Sequence, residues 1–353
     1  MKNRFRNVTL ALALAMGTAT ASPIMADTPA PSTAPAVRPD VRAYLDALAA
    51  HPRPPMNEQV IAMIRQIPPA QIAAMMAATE VPVGPLAVER TLSMPGPAGP
   101  IELRLFDSKA DRGPGPVLVF YHGGGFVVGS IGTHAALAAE IARQMDVPVV
   151  SVEYRLAPEN PWPAAPDDAE AAARWVAANG SALGRQVTGL ILSGDSAGGT
   201  LTLTTALALR DHPAAAPVRL TIPLYPMTDA SRAYPSSTAF NAGFGLDQAG
   251  MDFYGRAYRA DVNSPRHSAL LADLAGFPPT VLATASLDPL HDGGLAFAQK
   301  LAAAGVPVGY YEAAGNIHGF ATYRRGIPSA QGDLDRIMAM ARSMLAGQDT
   351  AQH

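Results

Sequence analysis

The sequence predicts an α/β protein: an eight-stranded, mostly parallel sheet with helices on both faces. Three observations carry that reading. Past Pro85, short apolar runs alternate with longer helical segments, as expected where crossover helices join parallel strands. The first two runs follow one another closely, like the arms of a hairpin. Gly189-Leu190-Ile191-Leu192 then leads into Gly194-Asp195-Ser196-Ala197-Gly198-Gly199 and a long apolar-periodic stretch, which reads as strand, tight turn and helix.

The N-terminus has its own logic. Lys2, Arg4 and Arg6 form a basic head, Val8 to Met16 an apolar stretch, and Ala19-Thr20-Ala21 a small-residue cleavage signature, with Ile24-Met25-Ala26 a second plausible cut. Residues 1–26 are therefore expected to be a signal peptide, and the protein periplasmic or secreted. The apolar stretch is too short for a permanent span, so no stable membrane insertion is expected. Residues 27–39 are rich in Pro, Ala, Thr and Ser and read as a flexible leader. From Asp40, Val41, Tyr44, Leu45 and Leu48 share one helical face. A second stripe runs through Val60, Ile61, Ile64 and Ile67, and a third through Ile72, Met75 and Met76. Such stripes are expected to pack against the body of the protein.

The expected strands are Ala87–Leu92, Ile101–Phe106, Val117–Tyr121, Val147–Tyr154, Gly189–Ser193, Leu220–Leu224, Val281–Ser286 and Val308–Glu312. Residues 228–263 interrupt the alternation. They concentrate Tyr234, Phe240, Phe244, Met251, Phe253, Tyr254 and Tyr258 in a chain with only 6% aromatic residues, and read as a crossover with a long loop or as a lid.

The bulk numbers exclude some partners. Across 353 residues, 48% are hydrophobic and 16% charged, enough for a sizeable core. The formal charge is −3, and removing the three cations of the basic head takes it to −6. With no basic run, nucleic-acid binding is not expected. There is no cysteine, hence neither a disulfide nor a lipobox thiol. No metal-ligand spacing or phosphate-binding motif is present, so no metal or cofactor is expected.

Ser196 is the candidate nucleophile. A G-x-S-x-G on a sharp strand-to-helix turn pushes the hydroxyl clear of the sheet and sets it at a helix N-terminus, where a developing anion is favoured. A serine needs a base, and the base needs a carboxylate to hold its tautomer. With the order Ser, acid, His, the candidate bases are His291, His318 and His353. His318 follows the last strand, on a loop able to lean over the carboxyl ends of the sheet, and is the expected general base. Asp288 is the first carboxylate after the strand Val281–Ser286, and Pro289 keeps it out of a helix. Asp292 is its nearest rival, but an acidic residue early in a helix is accounted for by the dipole. Upstream, His122-Gly123-Gly124-Gly125 closes a strand. Glycines let the main chain approach and donate to an oxyanion, so Gly124 and Gly125 are assigned to that hole, with Ala197 after the nucleophile. His122 precedes Ser196 and is expected to brace the glycine loop.

These segments, with Asp288-Pro289-Leu290, His318-Gly319-Phe320, Tyr154-Arg155-Leu156-Ala157-Pro158-Glu159 and Leu224-Tyr225-Pro226, resemble the bacterial hormone-sensitive-lipase family of esterases. The resemblance implies an α/β-hydrolase core over about 86–348 and a helical cap from N-terminal helices (40–85) plus the 228–263 insertion. It also implies the Ser196, Asp288, His318 triad and hydrolysis of short- to medium-chain acyl esters, and it raises a homodimer as an expectation. Asp292-Gly293-Gly294 stands where the family usually carries Asp-Glu-Gly, and Asn160 and Ala135 replace a common His and Asp.

The expected partner is a small acyl ester, and activity is expected to fall as His318 protonates, giving a neutral to alkaline optimum. An amidase or deacetylase on the same triad is the alternative. A non-catalytic receptor for small ligands is a third reading, disfavoured because all three triad members are present.

Overall fold

The computed structural model describes residues 36–350 except 52 and 53, so the expected signal peptide and the leader up to residue 35 lie outside the described residues. Alternation of apolar runs and helical segments produces an eight-stranded sheet. Its strands are β1 (Val88–Gly96), β2 (Gly99–Asp107), β3 (Gly115–Tyr121), β4 (Val149–Val152), β5 (Val187–Asp195), β6 (Val218–Leu224), β7 (Thr280–Leu287) and β8 (Val308–Ile317), in the order β1-β2-β4-β3-β5-β6-β7-β8. The β1–β2 hairpin and the β2–β4 pair are antiparallel; every later pair is parallel.

Strand residues alternate between two cores. Val117, Val119 and Tyr121 of β3 share a cluster with Leu190 and Leu192 of β5 and with α5 (Ala164–Ala178), α6 (Ala197–Asp211) and α9 (His291–Ala303). Leu118, Phe120 and Ile191 point the other way, toward α1 (Pro39–Ala50), α4 (Ile131–Met145) and α10 (Ser329–Thr350). A parallel sheet covered on both faces buries its strands from both sides, which is why β3, β5 and β7 read as nearly unbroken apolar runs.

Two boundaries differ from expectation in ways that matter for the site. β4 is shorter than Val147–Tyr154, because Pro148 has no N–H for the ladder and Tyr154 leaves it. β8 runs past Glu312 to Ile317. Gly315 holds φ +74°, and the Ser286 hydroxyl oxygen accepts its N–H at 2.7 Å. The ladder resumes at Leu287↔Ile317 beyond this irregularity, and that places His318 immediately past the last paired residue.

Of the N-terminal stripes, that of α1 buries Val41, Tyr44 and Leu45. In the second stripe Val60, Ile64 and Ile67 are partly buried beside Ile61, and the correction falls on Met75 of the third. In α2 (Glu58–Arg65) only Ile61 is fully buried, and in α3 (Pro69–Met76) Met75 is 55% exposed. Between β6 and β7 lie α7 (Pro235–Ala239) and α8 (Gln248–Tyr258); α8 does not cross the sheet but rests on the loop after β3. Among the described residues no helix is long and apolar enough to cross a membrane.

Candidate active site

Ser196 occupies the turn between β5 and α6 with φ +53° and ψ −118°, a conformation that a non-glycine residue holds only when its surroundings over-determine it. The constraint comes from both sides. The Ser196 N–H donates to the Leu224 carbonyl at 2.9 Å, and the Ser196 carbonyl accepts the first helical bond, from Thr200 N–H, at 3.0 Å. A side chain on Gly198 would collide with the Tyr121 carbonyl, so α6 can approach β3 this closely only with glycine there.

Three side chains meet at this turn. His318 Nε2 lies 2.8 Å from Ser196 Oγ, and His318 Nδ1 lies 2.7 Å from Asp288 Oδ2. The other carboxylate oxygen of Asp288 accepts the Leu290 N–H at 2.8 Å. Asp288 is buried, while Ser196 and His318 keep partial exposure, so the orienting acid is shielded and the reacting groups are reachable. Tyr225 packs edge-on against the imidazole at 5.0 Å, and Phe320 against Tyr225 at 5.1 Å. With Nδ1 donating to Asp288, Nε2 is left as the acceptor facing the hydroxyl.

The rival residues go elsewhere. His291 Nδ1 pairs with Asp292 at 2.8 Å and His291 Nε2 with Glu312 at 2.8 Å. Asp292 Oδ2 accepts the Ser236 N–H at 2.9 Å, which ties α9 to α7. His353 lies outside the described residues.

The glycine loop turns sharply after β3, with Gly124 at φ +120° and Gly125 at φ +60°, both in the left-handed half of conformational space that glycine supplies without strain. Among the described residues no protein acceptor takes the N–H of Gly124, Gly125 or Ala197. His122 is fully buried, stacks on Tyr154 at 4.2 Å, and its Nδ1 sits 2.8 Å from the Gly123 carbonyl. Burial, with the neighbouring His134, pushes the His122 imidazole down to about 3, so it remains neutral.

Two polar pairs around the site escaped the sequence reading. Asp195, one residue before the nucleophile, accepts the Gly123 N–H at 2.9 Å and lies 3.3 Å from His134 Nε2. The Asp195 carboxyl is lowered although burial opposes it, because His134 and the Gly123 N–H favour the anion. His134 is raised: burial would lower it, but the Asp195 carboxylate beside it wins. The signal was present in the sequence. A carboxylate at the end of a strand as apolar as Leu190-Ile191-Leu192 has no water to meet and needs an internal donor. Likewise Arg155 is forked onto fully buried Asp168, with its Nη2 at 2.7 Å, fastening the segment after β4 to α5. Among the described residues no group of three or more His, Cys, Asp or Glu side chains is arranged to hold a metal ion.

Comparison with known proteins agrees with this architecture. The family profile described as alpha/beta hydrolase fold matches residues 118–322. The chain is 37% identical over 273 residues to "Esterase LipI" of Mycobacterium tuberculosis, spanning 75% of this chain and 85% of that one. It is 39% identical over 210 residues to "Ethyl acetate hydrolase" of Pseudomonas putida, spanning 58% and 66%. Among solved structures, an alpha/beta hydrolase enzyme from the Lake Arreo metagenome superposes with a TM-score of 0.79 at 34% identity, over 89% of this chain and 99% of that one. The esterase of Pyrobaculum calidifontis gives 0.77 at 33%, over 88% and 99%.

Proposed function

Because the chain belongs to the bacterial hormone-sensitive-lipase family of α/β-hydrolases and is a carboxylic-ester hydrolase, we propose that Ser196, His318 and Asp288 form its catalytic triad, acting on short- to medium-chain acyl esters. The observation that carries this is the unbroken relay from Ser196 Oγ to His318 (2.8 Å) to Asp288 (2.7 Å).

His318 Nε2 takes the Ser196 proton as Oγ attacks the acyl carbon. Asp288 holds the other ring nitrogen and stabilises the imidazolium that forms. The former carbonyl oxygen becomes an anion within reach of the Gly124, Gly125 and Ala197 N–H groups, at the positive end of α6. Collapse of this intermediate returns the proton from His318 to the leaving alkoxide, and the alcohol departs. Water then attacks the acyl-enzyme as His318 takes its proton; collapse of the second intermediate breaks the bond to Oγ, returns that proton to Ser196 and releases the carboxylic acid.

Hydrolysis of p-nitrophenyl esters of increasing acyl length, with Ser196→Ala beside the unaltered protein, tests the reading. Activity should peak on short to medium chains and fall at least about 10⁴-fold in the variant. A variant retaining a tenth of the activity would sink the assignment. The basic head, apolar stretch and small-residue cleavage signature support export to the periplasm or medium. Cell fractionation with N-terminal sequencing should find a shortened chain outside the cytoplasm; a full-length cytoplasmic protein would refute export.

A further inference from the structure

Helix α8 does more than cover space near the site. Tyr254 and Tyr258, four residues apart and so on one helical face, land on consecutive residues of the glycine loop. The Tyr254 ring lies flat against Gly125: a Cβ built on that glycine would meet ring carbons at 2.5, 2.6 and 2.8 Å. Tyr258 stacks on Phe126 with ring centroids 4.0 Å apart and planes 6° from parallel. Phe126 itself holds φ +62°, a left-handed conformation that a bulky residue keeps only under external constraint. Tyr258 is buried and anchored in turn, its carbonyl accepting the Trp162 N–H at 2.9 Å, while the Phe126 carbonyl accepts the Ala157 N–H at 2.9 Å.

We infer that Tyr254 is a positioning residue for the oxyanion donors, its ring fixing the Gly125 peptide while Tyr258 locks the next residue. The inference rests on the assignment of Gly124 and Gly125 to the oxyanion hole. Three consecutive left-handed residues, Gly124 to Phe126, make this turn; backbone bonds hold the carbonyls of Gly124 and Phe126, whereas the outer face of Gly125 is met by the Tyr254 ring. The Gly125 N–H must meet a charge that exists only in the intermediate. Displacement of the donor by a fraction of an ångström therefore weakens transition-state binding and leaves the ground-state complex nearly untouched. Acylation and deacylation both pass through an oxyanion, so kcat reports the effect whichever step is slower.

The test compares Tyr254→Phe, Tyr254→Leu, Tyr254→Ala and Gly125→Ala, with steady-state kinetics on a p-nitrophenyl ester and inhibition by a trifluoromethyl ketone. That ketone forms a tetrahedral adduct with the serine and places an oxyanion in the hole. Tyr254→Ala should lower kcat about tenfold, weaken the ketone to the same degree, and leave KM within about twofold; Tyr254→Phe, which keeps the ring, should restore both. If the alanine variant does not fold, Tyr254→Leu must show the same split. A rise in KM at unchanged kcat would make Tyr254 a wall of the substrate pocket and overturn the inference. Loss of kcat in Gly125→Ala alone would overturn it and leave the oxyanion assignment standing. No loss of kcat in either would overturn both.

Discussion

Replacing Asp288 with asparagine keeps its size and removes its charge, and the surrounding hydrogen bonds fix the consequence. One carboxylate oxygen accepts the Leu290 N–H at 2.8 Å, while the other faces His318 Nδ1 at 2.7 Å. An asparagine amide has only one oxygen, and Leu290 claims it because two N–H groups cannot face each other in a buried spot. The amide nitrogen is then turned toward His318, Nδ1 must become an acceptor, and the proton moves to Nε2. The imidazole would present a donor to the Ser196 hydroxyl in place of a base. Flipping the amide to recover the working tautomer leaves a buried donor unsatisfied, costing about 2 kcal/mol. The lost charge on the imidazolium in the transition state costs about 2 kcal/mol more. Together they lower kcat about 10³-fold. Asp288→Ala permits either tautomer, loses only the charge, and should be no worse than the asparagine variant. The assay is initial-rate hydrolysis of a p-nitrophenyl ester, with thermal melting to show that the fold persists. An asparagine variant retaining more than a tenth of wild-type kcat would refute the tautomer argument.

Acidification should expose His122. The unfolded imidazole titrates near its ordinary 6.5, whereas the folded one is held at about 3, so between those values the unfolded chain binds more protons. This contribution to stability is complete above about pH 6.5 and declines by up to about 1.4 kcal/mol per pH unit as the pH falls toward 3. Denaturant unfolding of His122→Asn from pH 7 to pH 4 should show a shallower loss than the unaltered protein, and parallel curves would contradict the assignment. A second test concerns the buried pair Arg324–Glu80, 3.0 Å apart, which joins the segment before β1 to the loop following His318. Arg324→Met strands a buried carboxylate and should cost about 3–5 kcal/mol; adding Glu80→Gln should recover much of that. Equal stability of the single and double variants would show that the stranded charge is not the cause.

Much of this protein was legible in the sequence because the relevant physics is local. Apolar runs of strand length, the turn at Ser196 and the glycines after His122 each depend on a few adjacent residues, and the fold class arises from their alternation. The residues proposed as acid and base could be singled out too, since Asp288 and His318 each follow an apolar strand and share a common end of the sheet. Local patterning misled where a feature depended on something distant. The last strand reads as ending at Glu312, yet the Ser286 hydroxyl accepts the Gly315 N–H and the ladder resumes at Ile317. The stripe at Met75 reads as buried, yet that side chain is 55% exposed, because burial depends on what the rest of the chain lays against the helix.

The chain by itself determined which chemical groups exist and the order in which strands deliver them to one edge. Tertiary structure alone decided which of those groups touch. Ser196 and His318 are separated by 122 positions, and Gly123 and Asp195 by 72. No pattern along the backbone encodes the ångström-scale distance between such residues. That distance is settled when both faces of the sheet are packed, and the same packing seats Tyr254 against Gly125.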